Sequence, residues 1–185
     1  QWFGDRYEMV GVDKVASPGV VVLDLLQKRD VTELTHLAVG SHVLIHLAWN
    51  TRGGANAEEV MEENKRMSED VFRAAVQVGV PRCIFASSVH VCFGGIGYEG
   101  RRSIVREHQV LHGKKIHSSD ASSAMSAYGW AKWYLETRMK QRATEHTRMI
   151  AVRFGNVTPD NGWGEYPFWL SHRDCVQFVE RCIEA

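Results

Sequence analysis

The sequence predicts an α/β domain built on a parallel β-sheet. Three observations predict it. Apolar segments of strand length alternate with longer segments of helical spacing. The strand segments are continuously apolar, as in a sheet covered on both faces. Their carboxyl ends carry Asp13, Asp24, Ala48-Trp49, Ser87-Ser88 and Gly155-Asn156, where ligands of open α/β sheets collect.

The elements follow in order. Residues 7–13 read as a short buried strand ending on an acid, and 19–24 repeat that form. Residues 31–39 form a short helix, and 42–47 a third apolar strand. Residues 57–78 form a long amphipathic helix, with Val60, Met61, Met67, Val71, Phe72, Ala75 and Val76 near helical spacing. Gly79 and Pro81 stop it. A fourth strand covers 83–87 and is followed by a polar, irregular stretch at 94–123. A helix at 125–146 leads to a fifth strand at 149–154 and a loop at 155–164. Ser171 caps a last helix, with Asp174 at its third position as a capping-box-like acid. There is no internal repeat and no linker, so residues 1–185 read as one domain with an insertion at about 94–123.

Length and composition narrow the function classes. A chain of 185 residues can bury roughly 70% of its extended surface. Lys+Arg and Asp+Glu both total 22, so no basic surplus exists for broad phosphate contact and no nucleic-acid partner is expected. No apolar run approaches the roughly 18 residues of a membrane span. The best runs, 19–26 and 42–49, are strand-sized and are interrupted by Asp24 or His46. Cys83, Cys92, Cys175 and Cys182 show no Cys-x-x-Cys spacing and read as reduced core thiols of a cytoplasmic protein. Cys175 and Cys182, two turns apart, read as part of a core stripe. Glu107, His108 and His112 have helical metal-pair spacing but no evident third ligand, so no metal site is expected.

Tyr128 and Lys132 lie four apart on a predicted helix and share one face. Alone, the pair reads equally as a half-exposed Tyr beside a solvated Lys. Here it follows a strand ending in Ser87-Ser88, within a Rossmann-like alternation.

On these residues the chain resembles an extended short-chain dehydrogenase/reductase, of the NAD-dependent epimerase/dehydratase family. Five segments match in order: Val12-Asp13, Asp24-Leu25, His46-Leu47-Ala48-Trp49, Phe85-Ala86-Ser87-Ser88 and Ser126-Ala127-Tyr128-Gly129-Trp130-Ala131-Lys132. Arg153-Phe154-Gly155-Asn156-Val157 extends the match. The segments at 86–90 and 169–174 are most similar to uronate dehydrogenases. The resemblance implies a Rossmann-like doubly wound parallel sheet and NAD as cofactor. It implies an oxidoreductase acting on a hydroxyl of a sugar or sugar derivative, in carbohydrate metabolism. Two alternatives stand beside it: a nucleotide-sugar epimerase or dehydratase, and a non-catalytic cofactor-binding relative.

The resemblance also implies roles. Lys132 lowers the pKa of the Tyr128 phenol, which is near 10 when free, and holds the nicotinamide ribose. Ser88 hydrogen-bonds the reacting oxygen, Tyr128 takes the hydroxyl proton, and hydride passes to the nicotinamide. Ser87 is structural. Asp13 grips a ribose diol or, alternatively, serves as a turn residue. Asp24 and Leu25 resemble the adenine-edge pair. Leu47, Ala48 and Trp49 resemble the segment passing under the cofactor, although Trp49 is larger than the usual small residue. Asn64 matches an Asn placed near the proton relay, or is a solvated helix Asn. His90 touches substrate or is satisfied by backbone, and Asn156 looks like a substrate-side residue. The family usually pairs subunits through its long helices, so a homodimer through 57–78 and 125–146 is expected.

Three features depart from the family pattern. The opening strand and its Gly-rich turn, which receives the pyrophosphate at a helix N-terminus, are absent from this chain, which reads as incomplete at both ends. Without that middle strand, the strands at 7–13 and 42–47 should flank a gap with two unpaired edges. Val89 stands where nucleotide-sugar epimerases carry a hydroxyl and uronate dehydrogenases an Asn. Gly164 stands where uronate dehydrogenases place a carboxylate-gripping Arg, leaving Arg101, Arg102 or Arg173 to substitute.

Overall fold

Short runs of β-branched and aliphatic residues become strands, and each lies parallel to its neighbour. The computed structural model describes residues 3–51, 57–93, 121–159 and 169–185. In chain order the elements are β1 (Gly11–Asp13), β2 (Val20–Val22), α1 (Lys28–Leu37), β3 (Val43–His46), α2 (Ala57–Gln77), β4 (Arg82–Ser88), α3 (His90–Phe93), α4 (Ala121–Arg142), β5 (Arg148–Phe154), β6 (Asn156–Val157), β7 (Trp169–Leu170) and α5 (His172–Glu184).

The strands β3, β4 and β5 form one parallel sheet in that order, with Val43 opposite Arg82 and Arg82 opposite Arg148. β1 and β2 form a separate parallel pair. Among the described residues no strand joins the β1–β2 pair to the β3–β4–β5 sheet, in agreement with the gap expected between the strands at 7–13 and 42–47. Met9, Val10 and Val22, at or beside the small pair, are exposed.

Several boundaries differ from the sequence reading, each for a local reason. The first strand shortens to Gly11–Asp13 because its partner β2 is only three residues long. α1 begins at Lys28 rather than residue 31. Its Asp30 carboxylate accepts the Asp24 backbone N–H at 2.8 Å and Arg29 Nε at 3.1 Å, which anchors the helix start against the preceding turn. α4 runs 121–142 instead of 125–146. Its end is set by Thr144, whose hydroxyl accepts the backbone N–H groups of His146 and Thr147 at 3.3 and 2.9 Å and turns the chain out of the helix. Residues 121–123, assigned to the insertion, therefore belong to α4, and 94–120 lie outside the described residues. The expected loop after β5 contains β6, paired with β7.

Other local signals act as read. α2 ends in a Schellman turn, with Val80 N–H bonded to Ala75 O at 2.9 Å and Gly79 N–H to Val76 O at 3.2 Å. Gly79 holds φ of +69°, which an L side chain rarely adopts. Ser171 caps α5 by accepting the Asp174 backbone N–H at 3.0 Å, and its hydroxyl donates to the Asp174 carboxylate at 2.7 Å. Cys83 is a buried core thiol as read, whereas Cys175 and Cys182 are only half-buried and do not form the expected core stripe; all three are free thiols. The Cys92 side chain lies outside the described residues.

Helix α2 ties the β1–β2 pair to the β3–β4–β5 sheet. Its Phe72 joins Phe85, Leu135, Met139, Ala75 and Val80 in one buried cluster, while the adjacent Val71 joins Leu23 and Leu34 in another. Leu44 of β3 packs against both clusters. Burial of a ring such as Phe72 stabilises by roughly 2–3 kcal/mol.

His46 belongs to the first core region. Its ring stacks on Phe85 at 5.8 Å and meets Phe72 edge-on at 6.1 Å. Its Nε2 hydrogen-bonds the Ser68 hydroxyl at 2.9 Å. Burial, and secondarily the charge of Lys132, push its pKa down to about 3. His46 is therefore neutral in the fold, whereas the unfolded chain protonates it near 6.5. Stability is full above about pH 6.5 and falls as the pH drops from there toward 3. We predict that the protein loses about 2 kcal/mol between pH 7 and pH 5 through this group, read by urea denaturation. His46→Gln should flatten that slope. Equal slopes in the two proteins would contradict the assignment.

Candidate active site

Alternation along β4 sends its last two serines to opposite faces. Ser87 is buried and its hydroxyl donates to Glu136 Oε1 of α4 at 2.5 Å. Ser88, also buried, hydrogen-bonds His90 Nδ1 at 2.9 Å and accepts the His90 backbone N–H at 3.2 Å. These bonds fold the chain into α3 immediately after the strand. The neighbouring Ser88 hydroxyl favours the ionised form of the Tyr128 phenol.

Tyr128, Lys132 and Glu136 occupy successive turns of one α4 stripe. Glu136 clamps the helix to the sheet. Its Oε1 accepts Ser87 and Arg153 Nε, the latter at 2.9 Å, and its Oε2 accepts Arg153 Nη2 at 2.6 Å. This is a bidentate arginine–carboxylate pair, strong and directional. It joins α4 to β4 and β5 one turn beyond Lys132. On the other flank, Glu69 of α2 accepts Tyr134 Oη at 2.6 Å, Arg138 Nε at 3.0 Å and Arg142 Nη2 at 2.9 Å. These bonds outweigh desolvation, which acts the other way, and hold the Glu69 carboxyl down to about 2.

Lys132 is 3% exposed. Its ammonium donates to Ala86 O at 2.6 Å and lies 3.6 Å from the Trp49 ring centroid and 4.6 Å from that of Phe85. Burial pushes its pKa down to about 7. Burial also raises the Tyr128 phenol, with the Ser88 hydroxyl acting in the opposite direction. The expected lowering of the phenol by the ammonium is not found. Lys132 Nζ stands 5.6 Å from the Tyr128 ring centroid and gives its bond to Ala86. In this arrangement the phenol is protonated at neutral pH.

The structure thus brings together Ser88, His90, Tyr128, Lys132 and Trp49. The Tyr128 ring meets both Trp49 and His90 edge-on, each at 5.4 Å. Burial lowers the His90 pKa, which favours the neutral ring. The remaining residues singled out make contacts of their own. Asp13 is exposed at the end of β1, with Oδ1 accepting the Val15 N–H at 2.9 Å. Asp24 Oδ1 accepts the Leu26 N–H at 3.0 Å, and Leu25 packs against the Leu23–Leu34–Val71 cluster. Leu47, 63% exposed, and Ala48 sit at the carboxyl end of β3. Asn64 is fully buried rather than solvated. Its amide embraces the backbone of Asn50, accepting N–H at 2.6 Å and donating to the carbonyl at 3.0 Å, and so fixes the chain leaving β3. Asn156 is half-buried in β6 opposite Trp169. Of the three arginines considered, Arg173 is exposed on α5, while Arg101 and Arg102 lie outside the described residues, as do Gly164 and the Glu107, His108 and His112 group.

Sequence reading missed three groups: the Ser87–Glu136–Arg153 clamp, the Glu69 hub and the His46–Ser68 pair. Glu136 did carry a signal, standing four residues after Lys132 on the same stripe. The other two depend on which face of α2 meets the sheet and α4.

Known proteins give the same picture. The chain is 32% identical over 178 residues to an NAD-dependent glucose-6-phosphate dehydrogenase of Haloferax volcanii, covering 94% of this chain and 66% of that protein. It is 27% identical to an L-arabinose 1-dehydrogenase (NAD(P)(+)) of the same organism, covering 89% of this chain and 68% of that one. The chain thus spans about two thirds of the length of these curated relatives. Among solved structures, a mutant uronate dehydrogenase of Agrobacterium tumefaciens complexed with NAD superposes with a TM-score of 0.68 at 23% identity, covering 100% of this chain and 66% of that one. The ADP-L-glycero-D-manno-heptose-6-epimerase of Helicobacter pylori gives 0.69 at 16% identity, covering 100% and 68%. These likenesses show the Rossmann-like fold. Residues 2–162 match the NAD dependent epimerase/dehydratase family, which together with the 32% identical relative makes this chain a member of that family.

Proposed function

We propose that the protein is an NAD-dependent oxidoreductase that oxidises a hydroxyl of a sugar or sugar derivative. The observation that carries the reading is the convergence of Ser88, His90 and Tyr128 at the carboxyl end of β4, through the Ser88–His90 hydrogen bond and the His90–Tyr128 ring contact, with the Lys132 ammonium packed behind the phenol ring. The residues present fit a dinucleotide in chemistry. Asp13 offers an exposed carboxylate at the end of β1, suited to a ribose diol. Exposed Leu47 and Ala48 offer an apolar ledge, and Trp49, Asp24 and Leu25 complete the proposed lining. Asn64 contributes by holding Asn50, and Lys132 is the group to meet a ribose hydroxyl.

A bound oxidised nicotinamide would supply the hydride acceptor for the carbinol carbon. Ser88 hydrogen-bonds the reacting oxygen, flanked by His90 and Asn156 on the substrate side. Tyr128 exchanges the hydroxyl proton. Because its phenol is held protonated by burial, Tyr128 is ready to give a proton in carbonyl reduction. In the oxidative direction it must first lose one, and with its pKa raised from 10 that loss falls on the alkaline side, so oxidation should quicken as the pH rises from neutral into the alkaline range. Lys132, near 7, loses its charge before that and so does not assist the ionisation of the phenol there. Transient oxidation by the same Tyr and Lys is the epimerase alternative, which Val89 disfavours on the resemblance.

The same reading carries a single cofactor-binding unit in the cytoplasm, in keeping with three free thiols. It also carries a homodimer pairing through α2 and α4. No helix among the described residues is long and apolar enough to cross a membrane.

Three measurements check the proposal. A panel of hexose phosphates, pentoses and uronates with NAD should yield net NADH for at least one sugar. Tyr128→Phe should cut turnover about a hundredfold or more while leaving NAD affinity within a few-fold. Undiminished turnover in that variant would sink the role of Tyr128, and sugar conversion without net NADH would favour the epimerase. Sedimentation at micromolar concentration should show a dimer, and a purely monomeric species would contradict the pairing.

A further inference from the structure

Lys132 is a buried cation with no salt bridge among the described residues. Its ammonium has one main-chain acceptor, Ala86 O at 2.6 Å, and otherwise faces rings. Trp49 lies closest, at 3.6 Å to its centroid, with Phe85 at 4.6 Å and Tyr128 at 5.6 Å. At that distance the negative face of an indole attracts a cation directly. The same indole meets the Tyr128 ring edge-on, at 5.4 Å and 90°. Trp49 is itself held in place, because it packs against the core cluster containing Phe72, Phe85 and Leu135. Phe85 is fully buried within that cluster, so Trp49 forms the half-buried wall of the aromatic box.

We propose that Trp49 is the positioning residue for Lys132: its face holds the ammonium against the Ala86 carbonyl while its edge holds the Tyr128 ring. The contact stands on geometry alone, and only its consequence for turnover rests on the functional reading given above. A lysine side chain otherwise has several rotatable bonds and no fixed partner beyond one carbonyl. The titratable groups around it are His46 on β3, neutral in the fold, His90 on α3 across Tyr128, and Tyr128 and Glu136 on its own helix, the last matched to Arg153 of β5. None of these supplies a counter-charge to Lys132. Its ammonium is kept by rings and a carbonyl instead, in keeping with a value near 7.

Removing the indole has two opposed effects. It deletes one cation–π attraction, which favours the neutral amine, and it admits water, which favours the ammonium. Burial displaces Lys132 from 10.5 to about 7, more than one ring face offsets, so water wins and the group returns toward 10.5.

The test is NMR of protein carrying 13C-labelled lysine, titrated from about pH 5 to about pH 11, with Lys132→Met identifying the resonance. In the native protein the Lys132 εCH2 protons should lie upfield of the other lysines, shifted by the indole ring current, and titrate near 7. Trp49→Phe should keep both signatures in reduced form. Trp49→Ala should lose the upfield position and raise the midpoint by at least about one unit. An unchanged position and midpoint in Trp49→Ala overturns the proposal. If that variant does not fold, the native resonance decides: an upfield position supports the proposal and an ordinary lysine position overturns it. These signals need no turnover, so they stand apart from the Tyr128→Phe result that tests the functional reading.

Discussion

The site depends on how firmly α4 is registered against the sheet, and the buried carboxylate of Glu136 supplies that registration. Apolar packing alone lets a helix slide or roll on a sheet at small cost, because hydrophobic contact is not directional. Hydrogen bonds from Ser87 on β4 and a two-pronged contact from Arg153 on β5 are directional. Breaking such a buried pair by removing one partner costs roughly 3–5 kcal/mol. Tyr128 and Lys132 stand two turns and one turn earlier on the same stripe, so the clamp fixes their height above the ends of the strands. Glu69 does comparable work between α2 and α4, joining Tyr134, Arg138 and Arg142.

Against that rigid background the charges of the site are arranged unevenly. Glu136 has a matched counter-ion, and His46 is kept neutral by burial beside the Ser68 hydroxyl. Lys132 has no counter-ion among the described residues, and rings and the Ala86 carbonyl surround its ammonium. A buried charge without a carboxylate shifts its pKa instead. The proton that changes near neutrality therefore sits next to the Ser88–Tyr128 pair, while the phenol itself stays protonated.

The order of elements was readable because continuous apolar segments such as 83–87 and the spacing of Val71, Phe72 and Ala75 each encode their burial locally. The separation of the β1–β2 pair from the β3–β4–β5 sheet agrees with the gap expected between them. Boundaries were less so, since the end of α4 turns on one hydroxyl, that of Thr144. Tyr128 and Lys132 announced themselves by helical spacing after Ser87-Ser88, and their juxtaposition follows from the parallel sheet. What the sequence could not show was where long side chains point. His46 looked like an interruption of an apolar strand, yet its ring stacks on Phe85 in the core. Asn64 could have been solvated, yet its amide is spent on Asn50. Trp49 was visible as an oversized residue, but its place over an ammonium depends on a lysine 83 positions away.

The most direct test of the functional reading follows the hydrogen itself. A sugar that turns over, carrying deuterium on the oxidised carbon, would be incubated with NAD and the cofactor analysed by mass spectrometry. The account predicts one deuterium per reduced cofactor, in a single stereochemical position, matched by one oxidised sugar released. Cofactor without deuterium, or deuterium returned to an isomerised sugar with no net reduction, would contradict it.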